Sequence, residues 1–107
     1  MKIGHLIVPA GDLDAQEAFY TGLGLTTRFR DGDRYAALTD GTVTIGLADA
    51  SQQPVPGRVV LSIQVDDLDA CLANVPGAVV ETGPHERRAV LSDPAGNPVV
   101  LYERLPS

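Results

Sequence analysis

The sequence predicts an α+β fold: two tandem β-α-β-β-β modules forming a cupped mixed β-sheet, with one helix over each half. Three observations predict it. The order strand, helix, three strands can be read twice along the 107 residues. Asp12-Leu13-Asp14-Ala15 recurs as Asp67-Leu68-Asp69-Ala70 at the same strand-to-helix junction. In the stretch from Ser92 to Glu103, Asp-Pro and Gly-Asn turn signals stand directly before an apolar run, which reads as a tight turn feeding a final strand.

The elements follow in order. Ile3 to Val8 is rich in β-branched residues and reads as a strand. Pro9-Ala10-Gly11 ends it, and Asp12 is a good N-cap for a helix over Leu13 to Leu23. The expected apolar face of that helix is Leu13, Ala15, Ala18, Phe19 and Leu23. Thr26 to Arg30 and Arg34 to Thr39 form a hairpin across Asp31-Gly32-Asp33, and Thr42 to Ala48 is a fourth strand after Asp40-Gly41. Asp49 to Gly57 is polar, carries two prolines and reads as a linker. The second half repeats the pattern: strand Val59 to Val65, helix Leu68 to Val75 capped by Asp67, then strands Ala78 to Thr82, Arg88 to Ser92 and Pro98 to Tyr102. The chain is expected to be a single domain, 1–107, with module one at 1–48, the linker at 49–57 and module two at 58–107.

Composition narrows the class. Hydrophobic residues make up 44% and charged residues 21%, which fits a folded chain rather than a disordered one. The net charge of -6 and the lack of a basic patch argue against nucleic acid or an anionic membrane as partner. Cys71 is the one cysteine, so no internal disulfide forms, and its apolar helical setting predicts a buried structural thiol. Ile3 to Ala10 is too short for a membrane span, and Asp12 and Asp14 follow at once; a cytoplasmic location is the default expectation.

Side-chain alternation assigns the sheet faces. Leu61, Ile63 and Val65 should pack on the second helix, which turns Ser62, Gln64 and Val60 to the cavity. Val43, Ile45 and Leu47 should pack inward, leaving Thr42, Thr44 and Gly46 for the cavity, and Val99 and Leu101 inward, leaving Val100 and Tyr102. Leu6 and Val8 face the first helix, and Ile3, His5 and Ile7 the cavity; Arg88 and Val90 join that face. The expected lining is thus His5, Thr44, Ser62, Gln64, Arg88 and Tyr102 among apolar residues, as small-molecule sites usually are. Asp93 and Asn97 are turn-formers, and Asp12, Asp14, Asp67 and Asp69 serve the helix N-termini. No phosphate loop, nucleophile elbow or zinc-helix motif occurs.

With these residues in view, the sequence resembles the vicinal oxygen chelate superfamily of glyoxalases, bleomycin-resistance proteins and extradiol dioxygenases. The likeness runs through the His5 strand into Asp12-Leu13-Asp14, through Phe19-Tyr20 with Gly22-Leu23-Gly24-Leu25, through Ser62 to Leu68, and through Asp93-Pro94-Ala95-Gly96-Asn97. Metal-dependent members resemble one another in a set of His and Glu ligands drawn from the outer strands of each half. By resemblance the four ligand positions fall on His5, Gly46, Val60 and Val100, so three hold no donor atom. A single imidazole does not hold a divalent ion usefully, so no metal and no cofactor are expected. Glu103 is near, but its parity points it away from the face of Val100.

The resemblance implies a metal-free protein that sequesters a small, partly apolar or aromatic ligand. An alternative is a cofactor-independent isomerase or cyclase with His5 as general base and Tyr102 as its partner. A second alternative is a metal-dependent glyoxalase-like lyase or dioxygenase. His5 itself has three readings: a packed cavity histidine, a ligand-contacting or acid-base group, and a metal ligand. The resemblance also implies a homodimer.

Overall fold

Alternation and turn chemistry produce the predicted element order twice. The computed structural model describes residues 1–106. Its elements are β1 (Lys2–Pro9), α1 (Leu13–Gly22), β2 (Thr26–Asp31), β3 (Tyr35–Thr39) and β4 (Thr44–Ala48), then β5 (Val60–Gln64), α2 (Leu68–Leu72), β6 (Val80–Thr82), β7 (Glu86–Ser92) and β8 (Pro98–Arg104). The fold is therefore α+β, with the β-α-β-β-β unit repeated. The chain divides into two compact units, residues 5–60 and residues 61 onward together with Met1–Gly4, here called modules one and two.

In module one the strands run in the order β2-β3-β4-β1. β1 is parallel to β4, with Leu6 opposite Ile45 and Val8 opposite Leu47, while β2-β3 and β3-β4 are antiparallel. Leu38, Leu47 and Ala36 point from this sheet into a core closed by Ala10 and Leu13, with Val8, Tyr20, Leu25 and Ile45 packed against it. The register of β2 shifts between Thr27 and Phe29, which is where an extra residue, Arg28, bends the strand.

Helix α1 begins as its sequence dictates: the Asp12 carboxylate accepts a hydrogen bond from the Ala15 amide at 3.1 Å. The face it turns inward differs from the expected apolar one. Leu13 is buried and Gln16, Glu17 and Tyr20 are half-buried, while Ala15 and Ala18 are exposed and Phe19 and Leu23 are 61% and 71% exposed. Those four inward positions fall on one stripe of a 3.6-residue helix. The polar pair docks because its partners stand ready. Gln16 Nε2 donates to the Pro9 carbonyl at 3.2 Å, and Glu17 accepts from the Thr27 hydroxyl at 2.9 Å and from Arg30 at 2.8 Å. Val43 also departs from expectation, at 51% exposed. The Asp40 carboxylate accepts from the amides of Thr42 (2.8 Å) and Val43 (2.7 Å), holding them in a turn so that β4 starts at Thr44.

Module two has the matching order β5-β8-β7-β6, with β5 parallel to β8 and the other pairs antiparallel. The second helix is shorter than expected, ending at Leu72 rather than Val75, and only its Leu68 is buried. Ala73 and Val75 close back on Ala70 and Leu72 in tight turns ahead of Pro76-Gly77. Cys71 therefore lies exposed rather than buried, because a helix this short covers little of the sheet. The strand after it is also shorter, beginning at Val80, while the last two extend to Glu86 and Arg104. Glu103 faces α2, as its parity predicts: its carboxylate accepts from the Leu68 amide at 3.0 Å. Asp69 reaches back to the sheet through paired contacts with Arg87 at 3.2 and 3.0 Å.

The turn before β8 is built by one side chain. Asp93 Oδ1 accepts from the amides of Asn97 (2.8 Å) and Ala95 (3.0 Å), and its other oxygen accepts from the Asn97 side chain at 3.0 Å. Gly96 takes φ of +87°, a region that glycine enters freely. The Asn97 donors hold the Asp93 carboxyl below its ordinary value near 3.8. The folded state thus binds this proton less readily than the unfolded chain, so the turn's contribution is complete above the ordinary value and is lost as pH falls through the lowered one. Asp93→Asn is expected to flatten the acid side of the stability profile, measured by urea unfolding at a series of pH values. An unchanged slope below the ordinary carboxylate value contradicts this assignment.

Candidate functional site

Strand register in module two gathers four of the predicted residues on the face turned away from α2. Gln64 stands opposite Tyr102, Tyr102 opposite Arg88, and Arg88 opposite Glu81, so one row crosses all four strands. The neighbouring row is Ser62, Val100 and Val90. Paired residues share a face, which sets Ser62, Gln64, Arg88 and Tyr102 together. They are not equally open. Ser62 is 2% and Tyr102 7% exposed, while Gln64 and Arg88 are half-buried. Arg88 meets Glu81 at 3.5 Å, a long contact for an ion pair. At the β6-β7 end of this face lies a half-open hollow of about 350 Å³, lined by Arg88, Glu81, Glu86, Thr82 and His85 among others. That volume lies within the range of small-molecule sites.

Tyr102 is held by its surroundings. A Cβ built on Gly4 would meet its hydroxyl at 2.2 Å, so the phenol lies directly against the backbone of the first strand. Burial pushes its pKa above the ordinary 10.0; Arg104 opposes this and Glu86 adds to it. At neutral pH the hydroxyl keeps its proton and is a neutral hydrogen-bonding group.

In module one, His5 and Thr44 share the face turned away from α1. Each precedes the Leu6–Ile45 pair by one residue, and Thr44 stands opposite Thr39. Both are half-buried. The next row on this face is Phe29, Ala37, Gly46 and Ile7, and the row after it holds Asp31, Tyr35, Ala48 and Pro9. Tyr35 was not among the residues that sequence patterning singled out. The signal was present in the alternation of β3: with Ala36 and Leu38 inward, Tyr35 must share the face of Ala37 and Thr39. Its ring reaches diagonally to β4. A Cβ on Gly46 would lie 2.2 Å from the Tyr35 hydroxyl and 2.7 and 2.8 Å from two ring carbons.

These contacts test whether the residues suit the metal that resemblance to metal-dependent relatives suggests. Val60 and Val100 are 0% and 2% exposed aliphatics. At position 46 there is no side chain, and Tyr35 fills the space where one would start. Among the described residues no three His, Cys, Asp or Glu side chains are grouped to hold a metal ion. The donor set does not fit a resident divalent cation. Elsewhere, His85 is exposed, and Arg30 is engaged with Asp14, Glu17 and Asp33 at 2.7, 2.8 and 3.1 Å.

Comparison with known proteins places this architecture. The family model for the glyoxalase-like domain matches residues 5–102. An uncharacterized protein of Mycolicibacterium smegmatis (strain ATCC 700084 / mc(2)155) is 40% identical over 110 residues, covering 97% of this chain and 95% of that one. A glyoxalase/bleomycin resistance protein/dioxygenase superfamily member from Vibrio splendidus 12B01 superposes with a TM-score of 0.76 at 14% identity, covering 92% of this chain and 96% of that one. The Mn(II)-bound glyoxalase from Novosphingobium aromaticivorans gives 0.64 at 22% identity, covering 95% of this chain and 38% of that protein. At these identities the two structures share the fold. The match across residues 5–102, together with the repeated β-α-β-β-β unit, makes this chain a member of the glyoxalase-like domain family of the vicinal oxygen chelate superfamily.

Proposed function

We propose that this protein is a metal-free small-molecule-binding protein of the glyoxalase/bleomycin-resistance type, taking a small, partly apolar or aromatic ligand. The observation that carries the reading is the row Gln64–Tyr102–Arg88 beside the hollow at the β6-β7 end. The row offers an amide and a guanidinium, with Val90 and Val100 in the row beside it, a mixture suited to recognition. Gln64 and Arg88, the more open groups, make the polar contacts; Ser62 and Tyr102, nearly closed off, shape the surface between them. On module one taken by itself, His5 and Thr44 are the half-buried polar groups available for ligand contact. The valines at 60 and 100 and the filled space above Gly46 support binding without a metal. The protein acts as a cytoplasmic homodimer without a nucleic-acid partner, in keeping with its net charge of -6; among the described residues no helix is long and apolar enough to cross a membrane.

The test is a ligand-observed NMR screen of small aromatic and partly apolar compounds, with wild type, Gln64→Ala, Arg88→Ala and His5→Ala compared. Removing the Gln64 or Arg88 contact is expected to weaken the hits about five- to tenfold, the value of one to one and a half kcal/mol of lost hydrogen bonding. His5→Ala is expected to lose affinity modestly. Hits indifferent to Gln64 and Arg88 overturn the assignment. A compound that is converted to product, with conversion lost and binding kept in His5→Ala, replaces the binder with the cofactor-independent enzyme.

A further inference from the structure

We infer that Tyr35 is the residue that sets the size of ligand admitted on the module-one face, and that it selects for planar ring compounds. The inference rests on the binding function proposed above and adds a specificity determinant to it. Around Tyr35 this face is floored by small side chains: Ala37 and Gly46 form one cross-strand pair and Ala48 stands opposite Tyr35 itself. Tyr35 is the bulky group over that floor. Its hydroxyl and one ring edge lie against Gly46, within 2.2 to 2.8 Å of where a Cβ would stand. The phenol, rather than anything carried by residue 46, therefore forms the surface there. Phe29, 57% exposed, ends the Ala37–Gly46 row on one side, and Ile7, 7% exposed, ends it on the other.

The chemistry follows from that geometry. A ring seated on a glycine offers an edge and a face to a second ring, which prefers offset or edge-on contact to other arrangements. Removing the ring would leave open the space over Ala37, Gly46 and Ala48 that the phenol now fills.

The probes are p-cresol, which matches the tyrosine side chain, and 2-naphthol, which is one ring larger. Binding is followed through the amide resonances of Ala37, Gly46 and Ala48 in wild type, Tyr35→Phe, Tyr35→Leu and Tyr35→Ala, each first shown to be folded by circular dichroism. In Tyr35→Ala the ratio of 2-naphthol to p-cresol affinity is expected to change about tenfold or more, because the vacated space takes the added ring. Tyr35→Phe, which keeps the ring, should stay within about threefold of wild type, and Tyr35→Leu should fall between. A ratio unchanged in Tyr35→Ala overturns the inference, as does a change of equal size in Tyr35→Phe. If neither probe moves the module-one amides of wild type while Gln64 and Tyr102 respond, the inference fails and the binding function stands. If no resonance on either module responds to these probes or to any compound of the screen above, both fail.

Discussion

Gly46→Ala is expected to be the most damaging single-methyl substitution in module one. The new Cβ would stand 2.2 Å from the Tyr35 hydroxyl and 2.7 and 2.8 Å from two ring carbons. Gly46 is buried in β4 between Ala37 and Ile7, and its strand carries Ile45 and Leu47 into the core, so the backbone has little room to yield. Overpacking of this kind costs about 1–3 kcal/mol, and this contact belongs at the upper end because a ring, not a flexible chain end, must leave. The partner is identified by a double-mutant cycle in urea unfolding. Tyr35→Ala should recover most of the loss. Tyr35→Phe should recover little, because the ring carbons alone already lie too close. Gly46→Ala at wild-type stability contradicts the placement of Tyr35.

Gly4→Ala is expected to be comparably costly in module two, with a different rescue. Here the Cβ would lie 2.2 Å from the Tyr102 hydroxyl, but the nearest ring carbons are at 3.1 and 3.2 Å. The clash is with one oxygen atom. Tyr102 is 7% exposed and lies in β8, bonded to both β5 and β7, so it cannot swing aside cheaply. A loss of about 1–3 kcal/mol is expected in the single variant. In a Tyr102→Phe background, Gly4→Ala should be tolerated, since 3.1 Å asks for a shift of only a few tenths of an ångström. The two glycines thus give opposite answers to the same tyrosine-to-phenylalanine exchange. If phenylalanine rescues both or neither, the two phenols are not seated as described.

Much of this fold was legible because its punctuation is local. The Asp12 and Asp67 caps and the Asp93 turn are each made by a side chain bonding amides two to four residues away, and such signals need no knowledge of tertiary structure. Strand parity was legible where one face is aliphatic, as for Leu61 and Ile63 or Ile45 and Leu47. The inward face of α1 was not, because Gln16 and Glu17 turn inward only when Pro9, Thr27 and Arg30 are there to receive them. Val43 departs from the alternation because the Asp40 turn delays the start of β4 by two residues, and Cys71 is exposed because α2 stops at Leu72. In the candidate site, the donors Gln64, Ser62 and Arg88 declare themselves as polar letters in apolar strands. Tyr35 declared itself less, since its importance lies in what Gly46 lacks.

Metal titration tests the central claim most directly. Protein purified without added metal is examined by elemental analysis, then titrated calorimetrically with Zn²⁺, Mn²⁺ and Ni²⁺, beside His5→Ala. A chain with glycine at 46 and valines at 60 and 100 is expected to carry no stoichiometric metal and to show no saturable binding that depends on His5. One tightly held ion per chain, lost on replacing His5, would contradict the account.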